Sequence, residues 1–120
     1  LELARAFAKG PRPDRSILFL AVTAEEKGLL GTEYYVNNPL YPLGKTVGVI
    51  NIDGGSITGP TRNFSISGSA KLGLLDELTR IADTRGRALT PDPRPEAGSF
   101  YRSDHFPFAQ AGVPAISFDG

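Results

Sequence analysis

Apolar residues fall along the chain in short continuous runs, separated by segments in which they recur at helical spacing. The runs are SILFLAV at residues 16–22, TVGVINI at residues 46–52 and VPAISF at residues 113–118, and the shorter NFSIS at residues 63–67 alternates weakly. Continuous runs of this length suit strands that are covered on both faces of a parallel sheet. We therefore predict four strands, beginning with residues 16–22.

Between these runs the apolar positions follow the period of an amphipathic helix. The clearest case is residues 71–85, where one apolar stripe is followed by Gly86 in the position of a helix-terminating glycine. The other predicted helices are residues 1–8, residues 28–38, and residues 103–111 with Ser103 as N-cap and Gly112 as terminator.

The alternation of strands and helices predicts an α/β layered fold. Residues 87–99 contain three prolines and are predicted to form an extended loop. With 120 residues, 40% hydrophobic and 22% charged, the chain has the size and composition of one globular domain with its own core.

Charge and cysteine content exclude several classes of function. Thirteen basic residues balance thirteen acidic ones, so the chain lacks the basic surface of a nucleic-acid-binding protein. No apolar run approaches the roughly 20 residues that cross a bilayer. The absence of cysteine excludes disulfides and Cys-ligated metal sites.

Methionine is also absent, and the opening LELARAFA is typical of the middle of a helix, so we expect these residues to belong to a longer protein.

Acidic residues follow two of the predicted strands. Glu25 and Glu26 come just after the first apolar run, and Asp53 directly follows TVGVINI. If the two strands are parallel, their carboxyl ends share one rim of the sheet, which is where ligands bind in open α/β folds. The only histidine, His105, lies in YRSDHFPF, before the last predicted strand. Carboxylate oxygens and an imidazole nitrogen form a donor set suited to zinc.

Each of these residues also has an ordinary structural explanation. A carboxylate pair can mark a solvated helix N-terminus, an Asp-Gly-Gly sequence can form a turn, and a histidine beside phenylalanines can be packed in the core. A serine hydrolase with Ser99 or Ser103 as nucleophile and His105 as base is disfavoured. The chain has no G-x-S-x-G motif, and Ser103 is better explained as a helix cap.

Three blocks of the sequence resemble metallopeptidase family M28, the di-zinc aminopeptidases. They are AVTAEEKGLLGTEYYVNNP, VINIDGG and SFYRSDHFPFAQAGVPAI, which occur in the family's order over nearly the whole chain. The resemblance implies an α/β domain with a mixed, mostly parallel sheet, helices on both faces and two zinc ions at the strand ends. It also implies that residues 1–120 are part of a single zinc peptidase catalytic domain that lacks its N-terminal part.

The resemblance assigns roles to the candidate residues. It makes Glu25 the general base and Glu26 a ligand of one zinc. Asp53 becomes a ligand of the other zinc, and His105 a ligand of the same zinc as Glu26. The family's two remaining ligands, a histidine and a bridging aspartate, are expected upstream. Because zinc sites need three or four protein ligands, we expect these 120 residues alone to be metal-poor and inactive.

The implied activity is that of an exopeptidase of the aminopeptidase type, acting on a peptide substrate through a metal-activated water. Phe100 and Tyr101 are candidates for a wall of the substrate pocket or for ordinary core packing. Asp104 is expected either to brace the site or to cap the helix that follows it. Export from the cell is expected from the resemblance alone.

Two alternatives remain open. One is a glutaminyl cyclase-like acyltransferase that uses a single zinc, although the pocket of such enzymes is typically rich in tryptophan and this chain has none. The other is a non-catalytic family member that serves as a binding ectodomain. Such members usually lose ligands, whereas Glu25, Glu26, Asp53 and His105 are all present here.

Overall fold

A computed structural model describes residues 1–55, 57, 59–67, 73–92 and 94–119. Within these ranges four strands form one sheet in the order β1-β4-β2-β3. They are β1 (Val49–Ile52), β2 (Asn63–Ser67), β3 (Ala88–Thr90) and β4 (Ala115–Asp119). Strands β1 and β4 pair in parallel, as do β2 and β3, while β2 and β4 are antiparallel. The predicted α/β fold with a mixed, mostly parallel sheet is confirmed.

Four α-helices accompany this sheet in the described ranges. They are α1 (Glu2–Lys9), α2 (Leu30–Asn37), α3 (Gly73–Thr84) and α4 (Phe106–Gln110). Two predicted terminators are confirmed, because Gly86 and Gly112 have φ values of 65° and 85°, which L-residues rarely adopt. The first two residues of the predicted helix 71–85 lie outside the described ranges. None of the described helices is long and apolar enough to cross a bilayer.

Strand β4 lies inside the sheet and supplies the centre of the core. Ala115 packs with Tyr35 of α2 and Phe108 of α4, whose rings lie 5.7 Å apart between centroids. Ile116 points to the opposite face, since successive side chains alternate along a strand, and it is 0% exposed. Both faces of β4 are therefore covered at these two positions.

Two predictions about local structure are wrong. Residues 16–22 form no strand, and four of their apolar side chains are 41–49% exposed. An apolar run favours burial, but a strand also needs a partner backbone, and none of the described strands pairs with this run. Residues 87–99 are not a simple loop, since they contain β3, which pairs with β2 from Asn63 to Ser65. The short ALT sequence gave no period from which a strand could be inferred.

Gly31 allows helix α2 to begin directly against the segment before it. Its amide donates a 3.0 Å hydrogen bond to the Thr23 carbonyl, and a Cβ at this position would lie 2.5 Å from the same oxygen. Such a contact is far shorter than the van der Waals separation of the two atoms. The atom that the Cβ would meet belongs to the backbone, so it cannot rotate away as the end of a side chain could. The last glycine of EEKGLLG is therefore explained by close packing.

Replacing Gly31 by alanine is expected to lower the free energy of unfolding by about 1–3 kcal/mol, because the backbone has to move to admit the new methyl group. Urea unfolding measures the difference. Gly44→Ala is the matched control, since a Cβ there meets nothing within 4 Å. Equal midpoints for the two variants would contradict this packing argument.

Candidate metal and catalytic site

The two adjacent glutamates lie in a short 3-10 turn, Glu25–Lys27, that joins the apolar run to helix α2. Left-handed residues bound the turn, with Ala24 at φ 58° and Gly28 at φ 98°. The Glu25 carbonyl accepts hydrogen bonds from the amides of Gly28 and Leu29, at 3.1 Å and 3.0 Å. Neighbouring side chains in a 3-10 turn point about a third of a turn apart, so the two carboxylates diverge.

Asp53 follows strand β1 and is held by a small network of hydrogen bonds. The Ser103 hydroxyl donates to Asp53 Oδ2 at 3.0 Å. That hydroxyl in turn accepts from Asn51 Nδ2 at 2.8 Å, and Asn51 also reaches the Ser117 hydroxyl at 3.2 Å. One carboxylate oxygen of Asp53 is therefore fixed, which leaves Oδ1 for another ligand.

The network corrects the prediction that Ser103 caps a helix of residues 103–111. Helix α4 begins at Phe106, its N-cap position is His105, and no side chain makes a capping hydrogen bond there. The Ser103 hydroxyl is used by Asp53 and Asn51, while its carbonyl accepts from the Phe106 amide at 3.0 Å. Tertiary contacts have outweighed the local capping preference of serine.

His105 is enclosed in the core. Its side chain is 0% exposed, and its ring packs edge-on against Phe100 with centroids 4.7 Å apart. Neither ring nitrogen meets the geometry of a hydrogen bond with the described part of the chain. Burial lowers the pKa of His105, and the Phe100 backbone and the Asp104 carboxylate only partly offset that decrease. Burial therefore favours the neutral form of the imidazole.

Asp104 does not cap helix α4. Its Oδ1 accepts a 2.6 Å hydrogen bond from the Thr32 hydroxyl, which comes from α2, 72 residues earlier in the chain. Thr32 is completely buried, whereas Asp104 is half-buried. Ser103 thus contacts Asp53 at the end of β1, and its neighbour Asp104 contacts Thr32 at the start of α2, shortly after Glu25 and Glu26.

Electrostatic coupling places Glu25 near the other carboxylates. Partial desolvation raises the pKa of Glu25, and the charges of Asp53, Asp104 and Glu26 raise it further. The carboxylate at the end of β1 and the pair in the 3-10 turn are therefore close enough for their charges to interact. The ion pairs found in the described ranges are Arg5 with Glu2 and Arg80 with Glu77, so in those ranges no basic side chain lies within ion-pair distance of these carboxylates.

The described residues only partly fit a zinc site. Clustered carboxylates without a basic partner are suited to a divalent cation, and the free oxygen of Asp53 is available. No group of three or more His, Cys, Asp or Glu side chains in those ranges is close enough to hold an ion. His105 fits least well of the three implied ligands, since its ring is enclosed by protein.

Phe100 and Tyr101 form an aromatic cluster with Phe106. Tyr101 is 62% exposed and meets the rings of Phe100 and Phe106 edge-on, at 5.6 Å and 5.1 Å. An open depression of about 380 Å³ lies beside Asp53, but its lining includes Arg102 and Ser103 rather than these two aromatics. A substrate-binding role for Phe100 and Tyr101 stays a prediction.

Sequence reasoning missed Asn51 and Thr32. Asn51 carries a weak signal, because it is a polar residue inside an apolar run and lies two positions before Asp53, on the same side of the strand. Thr32 carries none, since its partner is 72 residues away and only folding brings the two together.

The sequence matches the model of Peptidase family M28 over residues 1–120. It is 32% identical to leupeptin-inactivating enzyme 1 of Streptomyces exfoliatus, in a match that covers 95% of this chain and 25% of that protein. The fold resembles that of BSAP, a zinc aminopeptidase from Bacillus subtilis, with a TM-score of 0.57 and 28% identity over 82% of this chain and 24% of the other. The chain thus spans about a quarter of the length of these relatives.

Proposed function

Because the chain belongs to peptidase family M28, we propose that the full-length protein is a zinc-dependent exopeptidase of the aminopeptidase type. The observation that carries this proposal is the proximity of the carboxylates of two separate blocks, since the charges of Asp53 and Glu26 both raise the pKa of Glu25. One of the family's members with a solved structure is a zinc aminopeptidase, which supports the choice of metal.

Glu25 is the proposed general base. Its raised pKa makes its carboxylate a better proton acceptor than an ordinary glutamate, and it stands beside the carboxylates proposed to face the metal. It takes a proton from the attacking water and returns that proton to the leaving amine. The substrate is a peptide with a free amino terminus.

Glu26 and Asp53 are the proposed zinc ligands in this part of the protein. Zinc supplies the positive charge that acidifies water and polarises the scissile carbonyl. Ser103 holds one oxygen of Asp53, so the other oxygen keeps a fixed direction. His105 can serve as a ligand only if its enclosed ring becomes accessible. These 120 residues by themselves offer too few ligands for tight binding of two zinc ions, and we propose that alone they are metal-poor and inactive.

The proposal is tested by assaying the full-length protein on unblocked amino-acid p-nitroanilides and on the same compounds with acetylated amino groups. Hydrolysis of the unblocked substrates is expected, with loss of activity on treatment with a chelator and recovery on adding zinc. Conversion of glutaminyl substrates to cyclic products without hydrolysis would identify an acyltransferase instead. Binding of zinc and peptides without turnover would identify a non-catalytic member of the family.

A further inference from the structure

The hydrogen bond between Thr32 and Asp104 links helix α2 to a distant segment of the chain. Thr79 and Thr84 of helix α3 donate to carbonyls of their own helix, Leu75 at 2.9 Å and Ile81 at 2.6 Å, which is the common use of such a hydroxyl. Thr32 instead donates to a carboxylate in a distant segment, at 2.6 Å. Thr32 is the third residue of α2, so the carbonyls three and four residues before it precede the helix, and its hydroxyl makes a tertiary hydrogen bond.

Helix α2 also makes an apolar contact with helix α4. Tyr35 of the same helix already stacks with Phe108 of α4 in the core. The Thr32 hydroxyl adds a directional contact between helix α2 and Asp104. A hydrogen bond to a charged acceptor is also shorter and stronger than a neutral one. It is also sheltered from water, since Thr32 has no exposed surface.

The two ends of the hydrogen bond belong to the segments that carry the proposed site. Thr32 lies in the first turn of α2, directly after the turn with Glu25 and Glu26. Asp104 is next to Ser103, which holds Asp53 at 3.0 Å. The path from the Glu25 turn to Asp53 thus runs through Thr32, Asp104 and Ser103.

We propose that Thr32 is a positioning residue, whose hydrogen bond to Asp104 sets the distance between the turn of Glu25 and Glu26 and the Asp53 carboxylate. The inference rests on the proposed function and names a residue that touches neither substrate nor metal. A misplacement of about 1 Å between such groups can cost a hundredfold in rate. Loss of an outer hydrogen bond in a metal site typically costs about 10–100-fold in metal affinity or activity.

The test uses Thr32→Val in the full-length protein, because valine keeps nearly the volume of threonine and replaces the hydroxyl with a methyl group that cannot donate a hydrogen bond. The expected result is a fall in kcat of about 10-fold or more with KM changed less than about twofold, and weaker zinc binding in competition with a chromophoric chelator. Thr32→Ser, which keeps the hydroxyl and loses a methyl group, is expected to stay within about threefold of wild type in both measurements.

A purely structural role predicts a different pattern. It would lower the melting temperature of both variants and leave kcat per folded molecule and zinc affinity unchanged, and that result would overturn the proposal. Thr32→Val is also compared with wild type in an Asp104→Ala background, where it should have no further effect on kcat because the partner is gone. Independent, multiplicative effects of the two substitutions would overturn it as well.

Should Thr32→Val fail to fold, Asp104→Ala alone carries the test, since that half-buried side chain is removed at lower cost. Its kcat is then expected to fall about 10-fold with little change in KM, and an unchanged kcat would refute the inference. If wild-type protein neither binds zinc nor cleaves peptides, the proposed function fails. If wild type does both and the variants match it, only the role of Thr32 fails.

Discussion

Replacing Glu25 by glutamine is expected to lower kcat of the full-length protein by about 10²–10⁴-fold, the usual contribution of a general base. Glutamine has nearly the same shape as glutamate but cannot accept the proton of the attacking water. Zinc content is expected to stay at the wild-type level, because Glu26 and Asp53 are the proposed ligands. The measurements are kcat on an unblocked p-nitroanilide and zinc per protein by elemental analysis.

Glu33→Gln is the matched control for this experiment. Glu33 lies in helix α2, and its charge is not among those that raise the pKa of Glu25. Its replacement should leave kcat within about twofold, as for substitutions away from the reacting groups. A Glu25→Gln enzyme that turns over at the wild-type rate would show that another residue is the base. Loss of zinc together with activity would instead make Glu25 a ligand.

Replacing Ile116 by alanine is expected to lower the free energy of unfolding by about 2–5 kcal/mol. Ile116 is 0% exposed in β4, a strand with neighbours on both sides, so the lost side chain leaves a cavity that the sheet cannot close. Chemical unfolding followed by circular dichroism gives the value.

Ile50→Ala is the control for Ile116→Ala, because the two isoleucines are paired in the β1–β4 register. Ile50 is 53% exposed, so its truncation removes about half as much buried apolar area and is expected to cost about 1 kcal/mol. Losses of similar size at both positions would mean that Ile116 is less buried in solution than the fold implies.

Helices with a clear spacing of apolar residues and a terminating glycine were predicted from the sequence more reliably than strands were. Helices α1 and α3, together with Gly86 and Gly112, follow from local spacing and from glycine's ability to adopt positive φ. A strand was predicted at residues 16–22, where none forms, and none was predicted at Ala88–Thr90, where β3 forms. A strand depends on a partner from elsewhere in the chain, and neither apolar content nor its absence reports on that partner.

The same division applies to the candidate site. The charges of Asp53 and Glu26 raise the pKa of Glu25, so these carboxylates lie near one another, although the strand at residues 16–22 on which that expectation rested is not formed. For Ser103, Asp104 and His105 the local expectations were a cap, a cap or brace, and a ligand. In the structure Ser103 and Asp104 make tertiary hydrogen bonds with Asp53 and Thr32, while the His105 ring lies in the core and its role as a ligand stays a prediction.

The sequence by itself determined the family, the α/β class and the chemical types available at the site. These depend on residue identity and short-range spacing, which the chain carries in order. Only the tertiary structure decided that Ser103 holds Asp53, that Thr32 holds Asp104, and that the His105 ring is enclosed. Each of these facts joins positions far apart in the chain, and the energy of a contact exists only once folding has brought its two partners together.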